Sequence, residues 1–237
     1  MNKTFSAHML KTFRECPYKY YLEYEKKINI PQDNSQAETG KNIHALINYY
    51  LKGFNTEKLI GSLSERELQL WNNYLNLNIK NNNIFLSEYS FNIKINKKNW
   101  LTGRIDAISR EGNSYTIYDW KTGNLPIAPD KDLQTMTYSI ALSKQLNHTC
   151  DKDRVNSLRF VYMSLKTAES IDLIIPSRII EGYSKTICAI IEELEEFSKR
   201  SNYPKLDNSE NSNTNNKENA SCESCKFKII CKTDVFL

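Results

Sequence analysis

Asp119 and Lys121 stand two residues apart in "IYDWKTG", at the end of a segment whose Ile117, Tyr118 and Trp120 suit a buried strand. Side chains at i and i+2 of a strand share a face, so a carboxylate and an ammonium project together from an otherwise apolar element. Isolated charges are costly to bury, and such a pair needs a partner. Upstream, "GRIDAI" sets Asp106 near the end of a second strand-like run, with Gly103 three residues earlier. The turn signal Glu111-Gly112-Asn113 lies between the two runs. Pairing across it brings Asp106 and Asp119 onto neighbouring strands. Two carboxylates, a backbone carbonyl and waters make a hard oxygen site of the kind Mg²⁺ or Mn²⁺ accepts. A cation there removes the mutual repulsion of the carboxylates, and Lys121 is placed to hold and polarise a water.

Three other groups carry potential chemistry. His44 follows Gly40 by four residues in the helical stretch "TGKNIHALINYY". Gln134 and Tyr138 in "DLQTMTYSIAL" share one helical face as an i, i+4 pair. Near the C-terminus, "CESCKFKIIC" spaces Cys222, Cys225 and Cys231 as C-x2-C-x5-C. Three thiolates leave a four-coordinate site incomplete, and Cys16 in "FRECPYKYYLEY" is the candidate fourth. Thiolate-rich sites suit zinc or iron–sulfur. Cys150 and Cys188 lack such neighbours and read as core or incidental residues.

The elements that must position these groups follow from periodicity. Ser6 is a candidate cap for a helix carrying Met9, Leu10 and Phe13, interrupted at Cys16-Pro17 and resumed through Tyr20-Tyr21-Leu22. A second helix carries Ile43, Leu46, Ile47 and Tyr50 and ends at Gly53, and a third covers about 64–80. Tyr89, Phe91, Ile93 and Ile95 then alternate with Glu88, Ser90, Asn92 and Lys94, which predicts a strand with one polar face. Strands over about 100–109 and 114–121, a helix over 130–146 and strands over 156–163 and 169–175 follow. A long helix over 177–199 buries Ile180, Tyr183, Ile187, Ile190, Ile191 and Leu194 on one face. Residues 201–220 are Asn- and Ser-rich without apolar periodicity, which predicts a flexible linker.

Composition narrows the class. The 237 residues are 40% hydrophobic and 25% charged, as in an ordinary globular protein with one sizeable core or at most two small ones. No run of 18 apolar residues predicts a membrane span, and the first residues lack an apolar signal core, so a cytoplasmic location is expected. Six cysteines in that setting point to metal or burial rather than disulfides. The net charge of +4 permits a nucleic-acid partner without requiring one. No GxxxxGK[ST] is present, which argues against a nucleotide-driven motor.

The ordered set G-x-x-x-H (40–44), G-R-I-D (103–106), D-W-K-T-G (119–123) and Q-x-x-x-Y (134–138) resembles the RecB-like branch of the PD-(D/E)XK nucleases, over about residues 5–231. The resemblance implies an α/β restriction-endonuclease-like core, αβββαβ, with a mixed sheet flanked by helices, N-terminal helices and a C-terminal Cys-rich tail. One nuclease domain is then expected over 1–237: an N-terminal helix region with the first cluster cysteine at 1–30, the core at 37–200, the linker at 201–220 and the tail at 221–237. It implies metal binding by His44, Asp106, Asp119 and the carbonyl of Trp120, catalysis by Lys121 with Asp119 and Asp106, and support from Gln134 and Tyr138. One cysteine before the core and three after it resemble the iron–sulfur nucleases, of AddB type or associated with CRISPR adaptation. Cys16, Cys222, Cys225 and Cys231 would there hold a [4Fe–4S] cluster, with zinc as the alternative.

The expected function is Mg²⁺- or Mn²⁺-dependent cleavage of DNA, exonucleolytic rather than endonucleolytic, in repair, recombination or CRISPR adaptation. DNA is the expected partner, with a helicase or CRISPR adaptation proteins beside it, and no membrane. The alternative is a non-cleaving DNA-binding or scaffold subunit with a structural iron–sulfur or zinc site. Intact His44, Asp106, Asp119 and Lys121 argue against it, and an iron–sulfur electron carrier leaves those four residues unexplained.

Overall fold

The computed structural model describes residues 2–77, 79, 84–149, 157–206 and 222–233. It forms two compact units, Met1–Ala7 with Asn34–Cys188 and His8–Asp33 with Ala189–Leu237.

The first unit is a mixed sheet with helices. Its strands are β1 (Lys3–Ser6), β2 (Ile84–Lys94), β3 (Asn99–Glu111), β4 (Ser114–Lys121), β5 (Ser157–Ser164) and β6 (Ser170–Pro176). β3 and β4 form the expected hairpin, with Glu111 opposite Ser114 and Gly112 at φ 60° in the two-residue turn, a conformation glycine adopts without steric cost. β4 and β5 run parallel through the crossover helix α6 (Leu133–Thr149), and β6 returns antiparallel. The helix, three-strand, helix, strand order read from periodicity is thus observed, as a mixed α/β sheet flanked by helices.

β3 organises the rest. β2 runs antiparallel along one edge of it, from Trp100 to Ser109. The other edge is shared: β1 pairs parallel with Asn99–Thr102, and β4 pairs with Ala107–Glu111. Gly103 to Asp106 lie between those two pairings, where β4 departs toward β5. β1 was not anticipated, because four residues show too little alternation to separate from a helix start; Ser6 closes this strand immediately before α1 (Ala7–Glu15).

One face of the sheet is covered by α3 (Ser35–Leu51) and, after the short α4 (Glu57–Ile60), by α5 (Glu65–Asn76). Ile43, Leu46, Ile47, Leu70, Trp71 and Tyr74 pack there with Ala107, Trp120, Val161 and Met163. α5 starts on a full capping box: Ser64 Oγ accepts from Glu67 N, and the Glu67 carboxylate accepts from Ser64 N. Tyr138 and Thr135 of α6 contact Phe160 and Tyr162 of β5, Tyr138 stacking on Phe160 and Thr135 hydrogen-bonding Tyr162. No helix among the described residues is long and apolar enough to cross a membrane.

The second unit holds both cysteine-bearing segments. α2 (Pro17–Tyr20) begins at Cys16, whose Sγ accepts from Lys19 N at 3.4 Å, and Pro17 occupies the first helical position, where its missing N–H is not needed. Phe13 packs on Tyr20 and Phe197, and Tyr21 stacks on Tyr203 at 4.9 Å. The start of the expected linker is therefore packed: Tyr203 is buried and Pro204 O accepts from Tyr18 N. One aromatic residue in a polar run supplies the anchor that periodicity could not show. From 207 onward the linker, like Cys150, lies outside the described residues.

Candidate active site

β4 departs from β3 just beyond the Ala107–Tyr118 pair, at the point where Asp106 and Asp119 would have been the next pair. The ladder's lost hydrogen bond is replaced by a side chain: Trp120 N donates to Asp106 Oδ2 at 2.7 Å. That bond seats the Asp106 carboxylate at the fork and leaves Oδ1 facing His44, whose Nδ1 is 3.2 Å away. The Trp120 indole turns to the opposite face, into the core under α3 and α5.

Asp119 is 2% exposed. Its Oδ1 accepts from Gln134 Nε2 at 2.5 Å. Lys121 Nζ lies 2.7 Å from its Oδ2 as an ion pair. Lys121 Nζ donates to Gln134 Oε1 at 2.6 Å, and Gln134 Nε2 reaches Tyr138 Oη at 3.0 Å. One amide thus ties the carboxylate, the ammonium and the phenol together. Asp132, the residue preceding α6, accepts from Gln134 N at 2.8 Å and so fixes the start of that helix.

Electrostatics mark the same place. Burial pushes the Asp119 carboxyl up to about 7, with Asp106 adding to the rise and Lys121 and His44 opposing it. Burial pulls the His44 imidazole down, but Asp106 above all, with Asp119 and Glu88, outweighs it and leaves the ring raised. Burial and nearby Asp119 and Asp106 raise the Tyr138 phenol, so it stays protonated.

All six expected residues of the motif set, His44, Asp106, Asp119, Lys121, Gln134 and Tyr138, meet at this fork. Glu88 joins them without having been singled out. One of its carboxylate oxygens, one His44 ring nitrogen and one Asp106 oxygen lie within 4.8 Å of one another. Strict alternation put Glu88 on the polar face of β2. The observed backbone turns there instead, with Glu88 at φ 50°.

Gly103 shows how tightly the fork is packed. A Cβ on it would stand 2.6 Å from Phe91 Cζ and 3.2 Å from Tyr138 Cε1, and these two rings pack edge to face at 5.7 Å. Gly103→Ala should push Tyr138 off Gln134 and destabilise the fold by about 2 kcal/mol, an overpacking cost. Thermal melting should show this as a fall of about 4–8 °C.

The second unit contains a separate site. Cys16, Cys222, Cys225 and Cys231 line one cavity of about 260 Å³, with Tyr18, Leu22 and Phe227 as apolar walls. Lys228 N donates to Cys225 O and Cys231 N to Phe227 O, which hold the tail cysteines on a turn and the first turn of α8 (Lys228–Thr233). Burial and the thiols of Cys16, Cys225 and Cys222 push the Cys231 thiol up, opposed by Lys205. No three of the four sulfurs lie mutually within 4.8 Å. Cys188 lies elsewhere, on α7 (Ser177–Arg200).

Comparison with known proteins agrees with the geometry. The crystal structure of a protein named "Putative exonuclease" from Eubacterium rectale is similar, with a TM-score of 0.54 and 7% identity over 89% of this chain and 88% of that one. At that identity the likeness shows a shared fold alone. The crystal structure of SSO0001 is 18% identical over 96% of this chain and 85% of that one, with a TM-score of 0.45, too low to support an argument. No curated protein matches the chain. The family model of the PD-(D/E)XK nuclease superfamily matches residues 4–232, and the chain, with its split-edge sheet and its Asp106, Asp119 and Lys121, belongs to that superfamily.

Proposed function

We propose that the chain is a divalent-metal-dependent deoxyribonuclease acting exonucleolytically in DNA repair, recombination or CRISPR adaptation. The observation that carries this reading is the fork, where Asp106 and Asp119 stand at the positions just beyond the last β3–β4 pair and Lys121 is ion-paired to Asp119. The donor set fits a hard cation. A carboxyl buried to 2% exposure, raised by burial and by the neighbouring Asp106, is an arrangement that a positive ion relieves.

His44, Asp106, Asp119 and the Trp120 carbonyl are the proposed ligands. When bound, the ion supplies positive charge at the scissile phosphate and lowers the pKa of the attacking water. Lys121 holds that water by hydrogen bond and takes its orientation from Gln134, which Tyr138 holds in turn. Attack of the water oxygen on phosphorus forms one P–O bond and releases the sugar oxygen of the other.

The same proposal assigns the four-cysteine cavity a [4Fe–4S] cluster. A single tetrahedral zinc, with Zn–S about 2.3 Å, needs sulfurs about 3.8 Å apart. The cavity of about 260 Å³ lined by all four cysteines leaves room for a larger group.

The test is incubation of anaerobically purified protein with end-labelled linear DNA and with closed circular DNA, with Mg²⁺ or Mn²⁺ and with excess EDTA. Linear DNA should shorten from an end only when metal is present, while circles survive. Binding to DNA should weaken as salt rises, because phosphate contacts release counterions. Cleavage in EDTA or a flat salt response would overturn the assignment, and nicking of circles would replace the exonucleolytic mode with an endonucleolytic one.

A further inference from the structure

Glu88 stands in the middle of β2. Its neighbours pair with β3 in one unbroken register, Ser87 with Ala107 and Tyr89 with Ile105, which sets Glu88 across from Asp106. Its φ of 50° is left-handed, a conformation uncommon outside glycine, asparagine and aspartate. Such outliers concentrate where surrounding structure holds a residue for a purpose. The result is a largely buried carboxylate, its side chain 16% exposed, with an oxygen within 4.8 Å of both the His44 ring and Asp106.

The neighbouring oxygens are differently committed. Asp119 gives Oδ1 to Gln134, and its Oδ2 faces the Lys121 ammonium. Asp106 gives Oδ2 to Trp120 N. Its Oδ1 meets His44 Nδ1 at 3.2 Å, and one Asp106 oxygen, one His44 ring nitrogen and one Glu88 oxygen lie within 4.8 Å of one another. Beside them stands Asp119, its side chain 2% exposed and its Oδ2 ion-paired to Lys121. Glu88 is held meanwhile by Arg104, with Nε at 2.7 Å. That arginine is 61% exposed, so the ion pair is a weak one that solvent can replace.

We propose that Glu88 is a direct ligand of the divalent ion at this fork, a third carboxylate beside Asp106 and Asp119, and that Arg104 is its partner in the metal-free protein. The proposal rests on the metal-site reading above. Release of Arg104 from Glu88 when the cation arrives leaves a guanidinium at the rim, free for a phosphate oxygen.

The test is calorimetric titration of the purified full chain with Mn²⁺, without DNA, for wild type and for Glu88→Gln, Glu88→Gly, Arg104→Gln and Asp106→Asn. Glu88→Gln and Glu88→Gly should each weaken Mn²⁺ binding about tenfold or more, on the scale seen when a metal site loses a supporting group. Glu88→Gly should not lower the metal-free melting temperature, because glycine accepts the positive φ. Arg104→Gln should leave Mn²⁺ binding unchanged or tighter, whereas a merely structural Glu88–Arg104 pair would make it weaken as Glu88→Gln does. Wild-type Mn²⁺ affinity in Glu88→Gln with loss in Asp106→Asn would overturn the role of Glu88 alone. Wild-type affinity in Asp106→Asn would overturn the metal site itself, and the proposal with it.

Discussion

Lys121→Ala should lower DNA cleavage by at least about a hundredfold, the scale set by loss of a positioned hydrogen-bonding group at a reacting centre, and Asp119→Ala should do the same. The two differ in what else they lose. Lys121 is bonded to Gln134 and paired with Asp119, so its removal should spare Mn²⁺ affinity, while Asp119→Ala should reduce it. Both proteins should still bind DNA, because phosphate contacts spread over a surface dominate affinity. Gel-based cleavage and calorimetry on the same preparations separate these outcomes, and wild-type cleavage by either variant contradicts the site assignment.

The metal-free protein carries a pH signature of the same pair. The Asp119 carboxyl lies at about 7 in the fold against an ordinary value of 3.8, chiefly through burial. A folded value raised above the unfolded one stabilises the fold below the unfolded value, and that stability is lost as pH rises through about 7. In EDTA the melting temperature should therefore fall between pH 5 and pH 8, and Asp119→Asn should flatten the fall. Lys121→Ala should steepen it, because the ionised carboxylate then has lost its ammonium partner.

Much of this site was legible because its chemistry sits on regular elements. The D-x-K spacing, the Glu111-Gly112-Asn113 turn and the i, i+4 pair Gln134 and Tyr138 each obey a fixed period, and the fold brings them together as those periods imply. What escaped was irregular. Glu88 escaped because alternation assumes an unbroken strand, and the left-handed turn that redirects its carboxylate leaves no trace in the order of residue types. The fork escaped because strand departure is a property of three strands at once: β1 and β4 share an edge of β3 that no local pattern announces. Gly103 was visible as a glycine near Asp106, but its reason, the closure of Phe91 and Tyr138 over its missing Cβ, is tertiary.

Replacing Cys16, Cys222, Cys225 or Cys231 by alanine should remove the brown colour expected of the purified protein and lower its melting temperature, whereas Cys188→Ala should do neither. The four thiols face one cavity from two segments far apart in sequence, one at the start of α2 and the other at the C-terminal tail. A group bound to all four therefore closes a loop of about 205 residues, which the chain-entropy model of a cross-link values at roughly 5 kcal/mol. That is comparable to the whole net stability of many domains, and for a chain of this size corresponds to about 10 °C or more. The bound state also requires thiolates, while the apo Cys231 thiol is pushed up by burial and by its three neighbours. Loading should accordingly release protons and weaken as pH falls. Iron and sulfide analysis with visible absorption reads the cluster directly. A colourless protein holding one stoichiometric zinc would keep the cross-link but refute iron–sulfur. Retention of colour and stability in Cys16→Ala would remove the fourth ligand and with it the link between the α2 segment and the tail.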